Sequence, residues 1–328
     1  MKQCRRNFLR QAAVLGVTAG LQPYALRAFP GVSPGKKVGI IGLDTSHSIA
    51  FTKALNATEA DPAYFGYRVV AAYPYGSQTI ESSYKRIAGY TDQIKELGVQ
   101  IVDSIQSLLK KVDVVLLETN DGNLHLKQAL EVLKAGKRMF VDKPIAASLK
   151  EAIAIFDAAE FHRLPIFSSS SLRFQKAIQE IDKSLVTGAD MFSPATIEKS
   201  HPDLFWYGIH GVEALYAVMG TGCGEVIRIH TPGTDLITGT WKDGRLGVVR
   251  GLREGKLYSG GTVYTREWNY HLGPFGGYEP LLKEIANYFE TGIPPVSPKE
   301  TIELFAFMEA ADESKRQGGK SVRLESLM

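Results

Sequence analysis

The chain has 328 residues, 44% of them hydrophobic and 22% charged, with a formal charge of +3. That length and apolar content suit two domains with cores of their own, and the lack of any basic stripe beyond the first thirty residues excludes a nucleic-acid partner. The only cysteines are Cys4 and Cys223, so once the N-terminus is set aside no internal disulfide is possible.

The N-terminus reads Cys4-Arg5-Arg6-Asn7-Phe8-Leu9-Arg10, followed by a weakly apolar run over 12–26 that Gly16, Gly20, Gln22 and Pro23 interrupt. Paired arginines before such a run resemble a twin-arginine export signal. Residues 1–30 are therefore expected to be a signal segment and the mature protein periplasmic. The run is too short and broken for a stable spanning helix, so no transmembrane anchor is expected in the mature chain. Its removal takes five basic residues and leaves the rest near −2.

Residues 37–41 read as a short buried strand that runs into a turn at Gly42, and a helix follows over 46–56. A second strand is expected at 68–73, a helix at 82–97, a short strand at 99–102, and a helix at 104–111 with Ser104 as its N-cap. Apolar strands at 112–117 and 138–141 enclose a helix at 124–135 that ends at Gly136. Strands alternating with helices imply right-handed crossovers and a parallel sheet, hence a Rossmann-like domain over 36–146.

Beyond Pro144 the pattern changes. Helices are expected at 148–162, 174–187 and 210–219, a strand at 165–168 and an extended stretch at 191–200. Four alternating segments over 225–264 follow, separated by turns at Lys242-Asp243-Gly244 and Glu254-Gly255, and read as an antiparallel meander. Closing helices fall at 280–291 and 298–317. The fold class is thus α/β: a Rossmann domain, then an α+β domain over 147–328 with an open antiparallel sheet.

The sharpest chemical signal is Val141-Asp142-Lys143-Pro144, a charged pair at the carboxyl end of a buried strand, where open α/β sheets place ligands. Together with Thr119-Asn120-Asp121-Gly122-Asn123-Leu124-His125 and Ala135-Gly136-Lys137, it resembles the Gfo/Idh/MocA family of sugar and polyol dehydrogenases. Asp142 stands where that family has a glutamate. The resemblance implies a nicotinamide cofactor, NAD or NADP, tightly bound if present, and the candidate contacts are Gly42, Thr45, Ser46, Tyr75, Thr119, Asn120, His125, Asp142 and Lys143. It also implies catalysis by Lys143 with His210, the histidine near the start of the long C-terminal-domain helix.

The phosphate loop departs from the family. A dinucleotide fold calls for G-x-G-x-x-G after its first strand, and here Gly42-Leu43-Asp44-Thr45-Ser46-His47 keeps only the first glycine. Asp44 would set a carboxylate beside two phosphate charges, at about 4 kcal/mol for like charges ~4 Å apart at an effective dielectric near 20. If the loop swings Asp44 away, Thr45, Ser46 and free amides remain for the phosphates. The second strand ends Ala72-Tyr73-Pro74-Tyr75 with no acid for the adenosine ribose, which leaves Tyr73 or Tyr75 to stack on the base and Ser77 to touch a 2′-phosphate.

On the substrate side, Trp206-Tyr207-Gly208-Ile209-His210 places two aromatic faces for a sugar ring beside the histidine, with Glu213 as the partner that orients it or as a structural cap. Arg173, in Arg173-Phe174, resembles the family's arginine after the first substrate-domain strand and is expected to face ligand oxygens. One His-x-x-Glu pair without a third ligand calls for no metal. The leading expectation is hydride transfer between NAD(P) and a hydroxyl of a sugar, sugar derivative or cyclitol. A non-redox lyase, hydratase or glycosidase-like enzyme on the same scaffold, with tightly bound NAD or none, stays open, as does a non-catalytic sugar-binding protein. Apolar residues on the open face of the meander, Leu236, Trp241, Leu246 and Val248 among them, point to a homodimer or homotetramer.

Overall fold

The computed structural model describes residues 35–328, so the twin-arginine segment lies outside the described residues. A six-stranded, all-parallel sheet has the order β3-β2-β1-β4-β5-β6. Its strands are β1 (Lys37–Ile41), β2 (Arg68–Tyr73), β3 (Gln100–Ile101), β4 (Val114–Leu117), β5 (Arg138–Val141) and β6 (Phe167–Ser168). β4 is buried at every position, as a strand covered by helices on both faces must be. The order reverses between β1 and β4, which opens a crevice at the carboxyl ends of those strands.

The helices between them are α1 (Ser46–Asn56), α2 (Glu81–Glu96), α3 (Ile105–Leu109), α4 (Gly122–Lys134) and α5 (Leu149–Phe161). Side-chain caps start several of them: Thr45 for α1, Ser104 for α3, Asp121 for α4 and Ser148 for α5. The parallel sheet does not stop at residue 146, because β6 pairs with β5. Helix α8 (Glu279–Thr291) also returns to it and packs Leu281, Ile285 and Phe289 into one core with Val38, Ile40 and Phe51.

The expected helix over 174–187 is broken. Ser171–Phe174 is a 3₁₀ turn, α6 is only Lys176–Gln179, and a second 3₁₀ turn at Lys183–Leu185 leads into a strand. Gln175 is extended (ψ 138°), and Asp182 caps the second turn by accepting from the Ser184 amide. Helix α7 spans Ile209–Met219 and α9 spans Pro298–Arg316.

The second sheet has seven strands in the order β12-β11-β7-β10-β9-β8-β13. They are β7 (Val186–Pro194), β8 (Cys223–Thr231), β9 (Thr234–Trp241), β10 (Leu246–Leu252), β11 (Gly260–Thr265), β12 (Asn269–Leu272) and β13 (Val322–Arg323). It is mixed rather than purely antiparallel, since β10 lies parallel to β7. One face packs on α7 and α9, and β9 alternates strictly between half-buried and buried positions. Trp241 belongs to that inner face: it is buried and its indole N–H donates to the Gly220 carbonyl at 3.0 Å. Leu246, Ile227 and Ile229 point the other way and are exposed. No helix among the described residues is long and apolar enough to cross a membrane.

Candidate functional site

A cleft of about 800 Å³ opens between the carboxyl edge of the parallel sheet and the C-terminal domain. Thr45, Ser46, Asn120, Asp142 and Lys143 line it from the first domain. Trp206, Tyr207 and His210 line it from the second, joined by Tyr258, Phe275 and Tyr278 from later loops.

Gly42 has φ +91°, and a Cβ there would lie 2.4 Å from the Thr119 nitrogen, so only glycine fits this turn. Asp44 does not face the cleft. It is fully buried, its Oδ2 accepting from the Ser77 amide (2.8 Å) and its Oδ1 from the Asn120 amide (3.0 Å). Burial raises its carboxyl to about 6 against the opposing pull of those amides. Ser77 adds a 2.8 Å hydrogen bond to Asp121, and the Asn120 amide side chain donates to Ser83. The loops after β1, β2 and β4 are thus tied to one another directly. A Cβ on Gly76 would come within 2.3 Å of the Asp44 carboxylate, which shows how closely they pack.

With Asp44 folded inward, the amino end of α1 presents Thr45 and Ser46 to the cleft, and α2 contributes Ser82 and Arg86. A helix start with hydroxyls and a guanidinium beside it suits an anionic group such as a pyrophosphate. The exposed Tyr75 lies apart from this cleft. It stacks on Tyr73 (centroids 5.9 Å apart, 10° between planes) and borders a separate cleft of about 660 Å³ with Gln78 and Tyr84. Those aromatic faces suit a flat base. The residues present therefore fit a dinucleotide at its phosphates and offer its base a platform, without a carboxylate for the ribose.

Three expected cofactor contacts sit beneath the cleft rather than in it. Gly42 and Thr119 form the turn just described. His125 is fully buried: its Nε2–H donates to the Thr119 carbonyl (2.6 Å), and Nδ1 lies 3.2 Å from the Ile145 carbonyl. Burial, which outweighs those contacts, lowers its pKa. These residues shape the loop after β4 and do not touch the cleft.

Lys143 is buried to 7% exposure, and its ammonium lies 5.7 Å from the Tyr207 ring centroid. His210 reaches the cleft from the first turn of α7, with Ser170 Oγ 2.7 Å from its Nδ1. Its Nε2 makes no hydrogen bond among the described residues. Burial first, then the charges of Lys143 and His47, hold its pKa well below the ordinary value, so at neutral pH the ring is a free base. Trp206 packs on His201 (5.0 Å) and Tyr207 (6.3 Å).

Arg173 and Glu213 take roles other than those expected. Arg173 is buried and does not line the cleft; its Nε donates to Glu213 (2.7 Å), and Nη1 pairs with Glu300. Glu213 is thereby held by Arg173 and is not the partner of His210. The arginine ties the 3₁₀ turn to α7 and α9.

The sequence reading missed His47 and Glu118. His47 Nδ1 lies 3.1 Å from Asp142 Oδ1 and 3.6 Å from Glu118 Oε2. Burial alone would lower His47, but Asp142 and Glu118 outweigh it and raise the imidazole to about 9. Burial raises Glu118 to about 7 against the pull of His47. The available signal was Glu118 itself, a carboxylate directly after four buried apolar residues of β4.

Residues 36–168 match the family model described as an oxidoreductase family with an NAD-binding Rossmann fold. No curated protein sequence matches the chain. Among solved structures, a probable dehydrogenase from Thermotoga maritima superposes with a TM-score of 0.72 at 17% identity, over 89% of this chain and 100% of that one. The myo-inositol dehydrogenase of Lactobacillus casei in complex with NAD(H) and myo-inositol gives 0.68 at 16% identity, over 88% and 96%. The scyllo-inositol dehydrogenase of the same organism, with bound NAD(H) and scyllo-inositol, gives 0.69 at 15%, over 88% and 99%. Over residues 36–168 the chain is a match to the NAD-binding Rossmann domain of the Gfo/Idh/MocA oxidoreductases, and over its described length it shares the fold of these dehydrogenases.

Proposed function

We propose that the protein is an NAD(P)-dependent oxidoreductase acting on a hydroxyl of a sugar, sugar derivative or cyclitol. The observation that carries this reading is the meeting of Lys143 and His210, from opposite domains, in one cleft whose wall is the amino end of α1. Thr45, Ser46 and Arg86 would hold the cofactor's phosphates, and the bound nicotinamide would supply the hydride acceptor or donor.

The Lys143 ammonium polarises the reacting oxygen and stabilises its negative charge as the O–H proton leaves. His210 Nε2 takes that proton, or returns it in the reverse direction, while Ser170 keeps the ring turned toward the cleft. The Trp206 and Tyr207 faces receive the apolar side of a ring-shaped polyol, and the domain walls exclude water. Isothermal titration of the purified chain with NAD and NADP, followed by turnover with a panel of sugars and cyclitols, tests the proposal. Cofactor binding with polyol-dependent nicotinamide reduction supports it, and absence of both overturns it.

One observation favours the second reading, a non-redox carbohydrate lyase or hydratase. Asp44 replaces the second glycine of the phosphate loop, and its carboxylate, with the Ser77–Asp121 contact, ties the loops after β1, β2 and β4 directly to one another. In that case Lys143 and His210 act on a substrate C–H or C–O bond, and added dinucleotide leaves turnover unchanged. We further propose a periplasmic location, supported by the Arg5-Arg6 segment and tested by cell fractionation. A homodimer or homotetramer through the exposed face of the seven-stranded sheet is proposed as well.

A further inference from the structure

His47, Glu118 and Asp142 come from three elements that the parallel sheet forces together. Glu118 and Asp142 are the first residues beyond β4 and β5, whose register pairs Leu117 with Val141. The Glu118 amide donates to the Ile41 carbonyl (2.7 Å) and the Asp142 amide to the Leu117 carbonyl (2.8 Å). His47 enters from the first turn of α1, at the place where a dinucleotide loop carries its third glycine.

Both carboxylates are fully buried, and apart from the His47 contact to Asp142 Oδ1 they are short of donors: among the described residues neither oxygen of Glu118 nor Oδ2 of Asp142 makes a hydrogen bond. A buried carboxylate oxygen without a donor is costly. A protonated His47 offers a single Nδ1–H to this side, and it lies at hydrogen-bond distance from Asp142 alone, at 3.1 Å against 3.6 Å for Glu118. Three donor atoms, one from each residue, all lie within 4.8 Å of one another. An ion bound about 2.1 Å from nitrogen and oxygen ligands holds those ligands roughly 3.0–3.4 Å apart, so two of the spacings already suit it or nearly so.

We infer that His47, Glu118 and Asp142 bind one divalent transition-metal ion of the Zn²⁺ or Mn²⁺ type at the base of the cleft. Two carboxylates neutralise the dication, and the imidazole nitrogen favours a transition metal over calcium or magnesium. His47 and Asp142 line the cleft while Glu118 lies behind them, so the open coordination positions face the ligand and take its oxygens. The site goes beyond the dehydrogenase reading and does not depend on it, since none of its ligands comes from the cofactor.

The test uses the tag-free full chain, stripped with a chelator, loaded with Zn²⁺ or Mn²⁺, desalted and assayed for metal per chain by mass spectrometry. The wild type retains about one ion, and the same ion raises its melting temperature. Glu118→Gln and His47→Asn lose at least tenfold in metal affinity and show no metal-dependent rise in melting temperature, while Lys143→Met keeps both. Should Glu118→Gln fail to fold by circular dichroism, Asp142→Asn takes its place. Wild-type protein that retains no metal, or variants that retain as much as the wild type, would overturn the site and leave an imidazolium between the two carboxylates. NAD binding measured on the same samples is read separately: metal retained without dinucleotide affinity contradicts the oxidoreductase reading and leaves the metal site standing.

Discussion

Ser170 Oγ lies 2.7 Å from His210 Nδ1 and also accepts from the Leu172 amide at 3.2 Å, so the hydroxyl is fixed by its own turn and fixes the imidazole in its place. A hydrogen bond of this kind contributes about 1 kcal/mol. Ser170→Ala is expected to lower kcat roughly five- to tenfold with KM little changed, and Ser170→Thr to restore most of it. A purely structural serine would change the melting temperature and leave kcat alone.

Among the described residues, Lys143 is the one ammonium that lines the cleft, from the carboxyl end of β5. Replacing it with methionine removes the charge that stabilises the reacting oxygen. The loss of one such donor corresponds to about 10²–10³ in kcat. Circular dichroism and thermal melts of Lys143→Met should match the wild type, because the ammonium makes no hydrogen bond within the described residues. Near-wild-type turnover would remove Lys143 from the chemistry.

The pH dependence follows from His210. Its surroundings are Lys143 and His47, which repel a proton, Asp142, which attracts one, and the Tyr207 ring 5.5 Å away. Burial, Lys143 and the positive charge held at His47, as imidazolium or as its bound ion, prevail and push its pKa down, so the base stays deprotonated into the acid range. The kcat/KM profile is therefore expected to stay flat as pH falls through 6.5, the ordinary histidine value, and to drop only below it. An acid limb centred at or above 6.5 would show that His210 is not the proton acceptor.

Arg173 acts on stability rather than on substrate. Its removal leaves Glu213 and Glu300 facing each other without their cation, a loss of about 3–5 kcal/mol for a broken buried pair. Arg173→Met should lower the denaturation midpoint sharply while the folded fraction keeps its KM. A raised KM at unchanged stability would return Arg173 to the substrate site.

The parallel domain was legible in the sequence because continuous apolar strands, capped helices and Lys-Pro at a strand end are local signals. The inward turn of Asp44 was not, since it depends on amides of Ser77 and Asn120 that lie 33 and 76 residues away. The same holds for Arg173, whose partners are on two distant helices, and for His47 with Glu118, which meet only through strand register. Trp241 was assigned to the open sheet face, but its neighbours in β9 alternate so that it falls on the core side.

The open face that remains, with Ile227 at 40%, Ile229 at 61% and Leu246 at 53% exposure, is the basis for the proposed assembly. Light scattering is expected to give a dimer or tetramer, and Ile229→Glu with Leu246→Glu to give a monomer that keeps its fold. A wild-type monomer at micromolar concentration would contradict this.

In the proposed reaction a nicotinamide cofactor and a polyol hydroxyl meet at Lys143 and His210. Single-turnover absorbance of the nicotinamide, recorded as purified protein with NAD or NADP is mixed with each candidate sugar or cyclitol, tests it most directly. The expected result is a substrate-dependent reduction that disappears in Lys143→Met and slows in Ser170→Ala. Conversion of a carbohydrate with no change in nicotinamide absorbance, and no effect of removing the dinucleotide, would contradict it.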